Sequence, residues 1–262
     1  MHWLVPTPGF VYALVFVVCG AMLWKRTREA RFPPGHALNL WLLGGVLGLV
    51  GGRLCYLLVS GGLVALPVRS WFGTGGIASW GAYIGAALAT GLYSVFAGLR
   101  PWPWIDLAAS IAPLFEVIGR WGCWLAGDDI GRVSKLPWAI RFPAGSDAWN
   151  AQVARGSLSP DAGWSLPVHP EQFYLMASAA VVFVVISAVW RRTRDRPGIT
   201  LAACLVLYGF SRYWLEFFRD PAAGGAVTGL SPSQWMCATC VAAGAALFAA
   251  RRHARAEDRA GR

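Results

Sequence analysis

Besides Asp106, six ionisable side chains interrupt long apolar stretches of the chain: Arg53, Glu116, Arg120, Arg212, Glu216 and Arg219. If those stretches cross a membrane, each charge costs about 2.5 to 3.5 kcal/mol on insertion scales, which makes each a functional candidate. Glu116 and Arg120 stand four residues apart, and Arg212, Glu216 and Arg219 follow at spacings of four and three, so a helix places each set on one face. Read as structure, Glu116 with Arg120 and Arg212 with Glu216 are ion pairs that tie helices together. Read as function, the arginines outnumber the carboxylates that could neutralise them and leave positive charge for a bound anion. Arginine suits phosphate, because its planar fork donates paired hydrogen bonds and its charge persists. In a membrane the phosphates at hand are lipid headgroups.

The elements that must position these residues follow from composition. The chain has 262 residues, 56% hydrophobic and only 14% charged, with mean hydropathy +0.48. A soluble domain carries about 25% charged residues to face water. Disorder and a small disulfide scaffold are excluded by the high apolar content and sparse cysteine. The expectation is an all-α polytopic membrane protein, a single domain over residues 1–262, with about seven spans of about 20 residues. They lie near Gly9 to Trp24, Ala37 to Ser60, Gly75 to Ala97, Trp104 to Ala126, Pro170 to Trp190, Gly198 to Phe218 and Pro232 to Ala250.

Basic residues cluster after the first, third, fifth and seventh spans, at Lys25 to Arg31, Arg100, Arg191 to Arg196 and Arg251 to Arg262. That places the N-terminus outside and the C-terminus in the cytoplasm. The net charge of +10 is then mostly topology, and no nucleic-acid partner is expected. Met1-His2-Trp3 lacks the basic start of a cleavable signal, so the first span is expected to stay. Cys237 and Cys240 form a C-x-x-C inside an apolar span and read as packing, not metal. The outer-side (periplasmic) loop at residues 127–167 is long enough for a lid or small subdomain. Trp71, Trp80, Trp102, Trp104, Trp138, Trp149, Trp164 and Trp235 read mostly as an interfacial belt.

Glu116-Val-Ile-Gly-Arg-Trp-Gly-Cys-Trp-Leu-Ala-Gly-Asp-Asp-Ile-Gly131 resembles the signature G-R-(I/L)-G-N-F-(I/L)-N-G-E-x-x-G of the bacterial prolipoprotein diacylglyceryl transferases. Gly51-Gly-Arg-Leu-Cys-Tyr56 is similar to that family's G-G-R-(L/I)-G-Y, and Leu136-Pro-Trp-Ala-Ile-Arg-Phe-Pro143 to its (L/F)-P-(F/W)-A-x-x-F-P. His169-Pro-Glu-Gln-Phe-Tyr174 is similar to H-P-(S/T)-Q-L-Y, and Arg212-Tyr-Trp-Leu-Glu-Phe-Phe-Arg-Asp-Pro221 to R-(F/I)-x-V-E-F-F-R-(E/Q)-P. Ser233-Gln-Trp235 echoes a G-Q-(W/I) at the last span.

The resemblance implies transfer of a diacylglyceryl group from phosphatidylglycerol to the lipobox cysteine thiol of a preprolipoprotein in the bacterial inner membrane, releasing glycerol 1-phosphate, without cofactor or metal. Partners would be phosphatidylglycerol, the preprolipoprotein and membrane lipids. The chemistry needs a thiolate and a stabilised leaving phosphate. By resemblance Arg120 and Arg212 bind the phospholipid, Asp128 takes the signature's acidic position, Gly131 its closing glycine, and Glu216 the acid of the sixth span. Arg53 and Arg219 add positive potential, and Gln172 and Tyr174 belong to the substrate-binding motif. Glu216 would orient Arg212 or accept a proton; His169, with an unperturbed pKa of about 6.5, is an alternative base or a loop-ordering residue. Asp128 and Asp129 are placed to anchor the long loop through Arg132.

The chain also departs from the family. Trp80 stands where the family carries a histidine, Cys123 and Ala126 replace the signature asparagines, and Tyr12 is the nearest match to an N-terminal tyrosine motif. Two alternatives therefore stand beside the transferase: a catalytically impaired paralogue that binds phospholipid, and a phospholipid-dependent transferase with a different acceptor.

Overall fold

The computed structural model describes residues 8–59, 78–220 and 229–260, with side chains described at 10–59, 78–220 and 229–252. Met1 to Trp3, Ser60, Trp71, Gly75, Pro221 and Arg262 lie outside the described residues, as do the side chains of His253, Arg255 and Arg259. Val11, Val15, Cys19 and Leu23 recur every fourth residue and are buried together against Leu107 and Ile111, which is what a helix with one apolar stripe does in a bundle. The helices are α1 (Pro8–Glu29), α2 (Pro34–Val59), α3 (Ser79–Phe96), α4 (Pro101–Ala126), α5 (Asp147–Ala154), α6 (Glu171–Arg192), α7 (Ile199–Leu215) and α8 (Pro232–Ala260). Proline opens α1, α2, α4 and α8, a first-turn position where its missing N–H costs nothing.

α1, α2, α6 and α8 each contain a stretch long and apolar enough to cross a membrane. α4 carries Asp106, Glu116 and Arg120, and α7 has 17 residues. Large apolar side chains along α2, among them Leu38, Leu42, Val46, Leu49 and Val59, are exposed, as expected of a face turned to lipid. α4 is central and packs on α1, α3, α6 and α7. α2 and α3 cross at glycines: a Cβ on Gly81 would run into the Gly51 carbonyl, so the two backbones touch.

One end of the bundle gathers the end of α1, the start of α4, the α6–α7 connection and the later part of α8. There Arg194 donates to the Glu29 carbonyl at 2.8 Å, and Arg251 lies 3.8 Å over the Trp102 ring. Asp106 accepts from the backbone N–H groups of Gly198 and Leu201 at 2.7 and 2.8 Å, so this buried carboxylate caps the N-terminus of α7. The opposite end gathers the end of α4, the starts of α6 and α8, and the end of α7.

Two sequence expectations need correction here. Arg212, Glu216 and Arg219 do not share one helical face: α7 stops at Leu215, a 3-10 turn spans Glu216–Phe218, and Arg219 is extended at φ −74°, ψ 149°. Pairing with another segment breaks the helix, since Arg219 bridges Gly131 and Asp220 N–H donates to the Ile130 carbonyl at 3.0 Å. Arg26, in the basic cluster after the first span, is 3% exposed, donates to Ser187 Oγ at 2.5 Å, and lies over the Phe183 and Trp190 rings. Trp104 is core instead of belt, buried at 5% exposure.

The segment between α4 and α6 has a small core of its own, Ile130, Phe142, Ala148 and Val168. α5 starts at the Ser146 cap, whose Oγ accepts from Trp149 N–H, and Arg155 just beyond it clasps Asp220 at 3.0 and 2.7 Å. The loop is thereby fastened to the end of α7.

Candidate active site

The site is built on the way α4 ends. Gly127 is left-handed at φ 72°; its N–H donates to the Trp124 carbonyl and that of Asp128 to the Cys123 carbonyl, a pattern that closes a helix and turns the chain sharply. Asp129 is also left-handed, at φ 50°, a conformation aspartate tolerates better than most residues. The reversal carries the Asp129 carboxylate back to Arg120, nine residues earlier, where Arg120 Nη1 donates to Asp129 Oδ2. Gly131 then passes so close to His169 that a Cβ would meet the His169 Cβ at 2.7 Å.

Charge pairs link α4, the loop, α6 and α7. Arg120 Nε donates to Glu116 Oε2 at 2.6 Å, and Tyr208 O–H donates to Glu116 Oε1 at 2.7 Å. Asp129 Oδ1 accepts from Arg219 Nη2 at 2.7 Å. Arg219 also lies 3.6 Å from Glu216 Oε1, which accepts from Ser231 Oγ at 3.0 Å. Arg212 Nη1 is 2.6 Å from Glu216 Oε2 and 3.5 Å from Glu171 Oε1. Arg120, Arg212, Glu116, Glu171 and Glu216 are all buried.

The expected surplus of arginine is reversed. Arg120, Arg212 and Arg219 meet Glu116, Asp129, Glu171 and Glu216 directly, with Asp128 beside them. Glu171 and Asp129 went uncounted because they come from the ends of α6 and α4, where they look like loop or cap residues. In the loop, burial and the charge of Asp129 push the Asp128 carboxyl up to about 6. Burial acts upward on Asp129 too, but Arg120, Arg219 and Arg212 outweigh it and hold that carboxyl at about 2.

The structure brings together Arg120, Arg212, Glu216 and Arg219 among the expected site residues. Arg53 is half-buried on α2, its guanidinium 5.3 Å from the Tyr56 ring. Gln172 is fully buried and donates to the Asp128 carbonyl at 2.6 Å, tying α6 to the end of α4. Tyr174 O–H accepts from Trp138 Nε1 at 2.7 Å and lies 3.3 Å from His169 Nδ1. The His169 ring also packs on Phe218 at 5.2 Å. Tyr12 of α1 is near enough to interact electrostatically with Cys123, Asp128, Arg120 and Asp129. Arg132 does not anchor Asp128 or Asp129; its Nε donates to the Arg219 carbonyl at 3.1 Å, because Asp129 is already engaged by two arginines.

Trp80 packs edge-on against Tyr208 with ring centres 6.0 Å apart. Tyr208 and Glu171 were not among the expected site residues. Spacing signals Tyr208, one turn before Arg212; Glu171 is signalled by a motif that has Ser or Thr at its position. Cys123, Asp128 and Asp129 have donor atoms within 4.8 Å of one another, yet both Asp129 oxygens are taken by arginines, a poor cradle for a cation. What the arrangement offers is a set of three arginines, two of them buried, paired with carboxylates from several segments of the chain.

A family model described as prolipoprotein diacylglyceryl transferase matches residues 4–250. Curated relatives named phosphatidylglycerol–prolipoprotein diacylglyceryl transferase are 33% identical in Azoarcus sp. (95% of this chain, 91% of the relative) and 30% identical in Rhizobium meliloti (82% and 72%). A third, from Methylibium petroleiphilum, is 30% identical over 95% of this chain and 90% of its own length. With a match over nearly all its length, the chain belongs to the prolipoprotein diacylglyceryl transferase family.

Proposed function

We propose that this chain transfers a diacylglyceryl group from phosphatidylglycerol to the lipobox cysteine thiol of a preprolipoprotein, the first step of lipoprotein maturation. The observation that carries the reading is the set of Arg120 and Arg212, both buried, with half-buried Arg219, each paired with carboxylates, in a chain of this family. Arg120 and Arg212 hold the lipid phosphate and stabilise the charge that grows on it as the glyceryl C–O bond breaks. Arg219 and Arg53 add positive potential, Glu216 orients Arg212, and glycerol 1-phosphate leaves. Asp128, His169, Gly131, Gln172 and Tyr174 shape the outer wall that receives the peptide.

The protein works as one domain over residues 1–262 in the bacterial cytoplasmic membrane, crossed by α1 to α4 and α6 to α8, with the N-terminus and residues 127–167 outside. The gathering of basic segments 25–31, 191–196 and 251–252 at the bundle end opposite the site supports that orientation. A second reading, a paralogue that binds phospholipid without transfer, is favoured by Trp80, which offers no proton acceptor beside Tyr208.

Purified protein given phosphatidylglycerol vesicles and a lipobox peptide is expected to yield the thioether product and glycerol phosphate. Arg120→Ala and Arg212→Ala should each weaken lipid binding at least tenfold. Saturable lipid binding without product would leave the paralogue, and phosphate release without thioether would point to a different acceptor. Unchanged binding in both variants would remove the arginine clamp.

A further inference from the structure

Glu171 is a carboxylate where the quoted motif has a hydroxyl residue, and it is 0% exposed. Among the described residues its one direct cation contact is the weak 3.5 Å approach of Arg212 Nη1 to Oε1, and Oε2 has no hydrogen-bond partner. Among the other carboxylates, Glu116 is engaged by Arg120 and Tyr208, Asp129 by Arg120 and Arg219, and Glu216 lies 2.6 Å from Arg212 and accepts from Ser231. Asp128 also has an unpartnered oxygen, Oδ1, but among the described residues it makes no ion pair with an arginine, so a phosphate arriving on the arginines would free nothing on it. A carboxylate bound to a guanidinium is a poor proton acceptor. Trp80 has only an N–H to donate, and the contacts of the His169 ring run to Tyr174 and Phe218. Around Glu171 the charged neighbours are Arg212 and Glu216 at the end of α7, Arg219 beyond the turn, and Asp129 from the loop after α4.

We infer that Glu171 is the proton acceptor for the incoming thiol, released for that task when the lipid phosphate replaces it on Arg212. This rests on the transferase reading above. Phosphate on Nη1 takes the cation that Glu171 holds loosely, and a buried carboxylate without its cation draws a proton more strongly. The acceptor thiol gives its proton to the Glu171 carboxylate. The thiolate sulfur bonds to the glyceryl carbon, the C–O bond to phosphate breaks, and the bonding electron pair leaves with the phosphate oxygen. The proton on Glu171 then passes to the released phosphate monoester or to water. Lipid binding thus strengthens the base once a donor lipid is in place.

The test is the full-length protein with phosphatidylglycerol vesicles and a lipobox peptide from pH 6 to 9.5, comparing the parent, Glu171→Gln and Glu171→Ser. A positioned base contributes about 100- to 10,000-fold, so both variants should lose about 100-fold or more in kcat near pH 7. The KM for lipid should stay within about threefold, because the phosphate clamp is intact. The deficit should shrink toward pH 9.5, where a thiol of pKa about 8.5 ionises unaided. A kcat within about threefold of the parent in either variant would overturn the inference, as would a loss equal at every pH and accompanied by a higher lipid KM. If the parent itself makes no thioether, the transferase reading falls and takes this inference with it; an active parent with an equally active Glu171→Gln overturns this inference alone.

Discussion

Asp129 accepts from an arginine on each oxygen, while its neighbour Asp128 is left beside that charge with Oδ1 unpartnered among the described residues. The two carboxyls therefore move in opposite directions from the ordinary 3.8, to about 2 and about 6. Asp129 contributes stability above about pH 4 that is lost as pH falls toward 2. Asp128 does the reverse: the fold favours its protonated form, so its contribution is full below about pH 4 and lost as pH rises through 6. Asp128→Asn should remove the decline between pH 4 and 6, and thermal unfolding in detergent across pH 3 to 8 would show an unchanged slope if Asp128 is not its source. Spacing marked Arg120, Arg212, Glu216 and Arg219; it could have marked Tyr208, one turn before Arg212, but not that residue's partner, nor Glu171. The partners of Glu171 and Tyr208 lie 41 and 92 residues away, beyond any local pattern.

At the scale of elements, the site depends on a short ladder in which Gly131 bridges Arg219, Arg132 N–H donates to the Phe218 carbonyl at 2.8 Å, and His169 N–H donates to the Arg132 carbonyl at 2.9 Å. The ladder ends α7 at Leu215 and swings Arg219 toward Asp129. Gly131→Ala would force a methyl into the His169 backbone, and overpacking of this kind costs about 1 to 3 kcal/mol. Lipid binding should fall at least tenfold with a lower unfolding temperature, whereas Gly163→Ala, facing open space, should do neither. Equal behaviour of the two variants in a lipid-binding titration would mean that the ladder does not position the arginines. The places of the long helices were legible because runs of apolar residues are a local signal. The break at Leu215 was not, since it is imposed by a strand-like partner from another part of the chain.

For the whole molecule, the proposed orientation puts the α4–α6 loop outside and the α6–α7 connection in the cytoplasm. Single cysteines at exposed Ser157 and Asp195, in a background without reactive native thiols, test this with an impermeant maleimide. Ser157→Cys should label in intact cells and Asp195→Cys only after lysis; the opposite pattern would invert the topology. The sequence alone determined the membrane-length apolar helices, the arginine candidates and the family, because hydropathy, short spacings and ordered motifs are properties of the chain read in line. Tertiary structure alone decided that the arginines are already neutralised, that Arg26 is buried, and that Glu171 stands next to Arg212. Charge balance inside a bundle is set by which side chains meet across helices, and those meetings join residues dozens of positions apart.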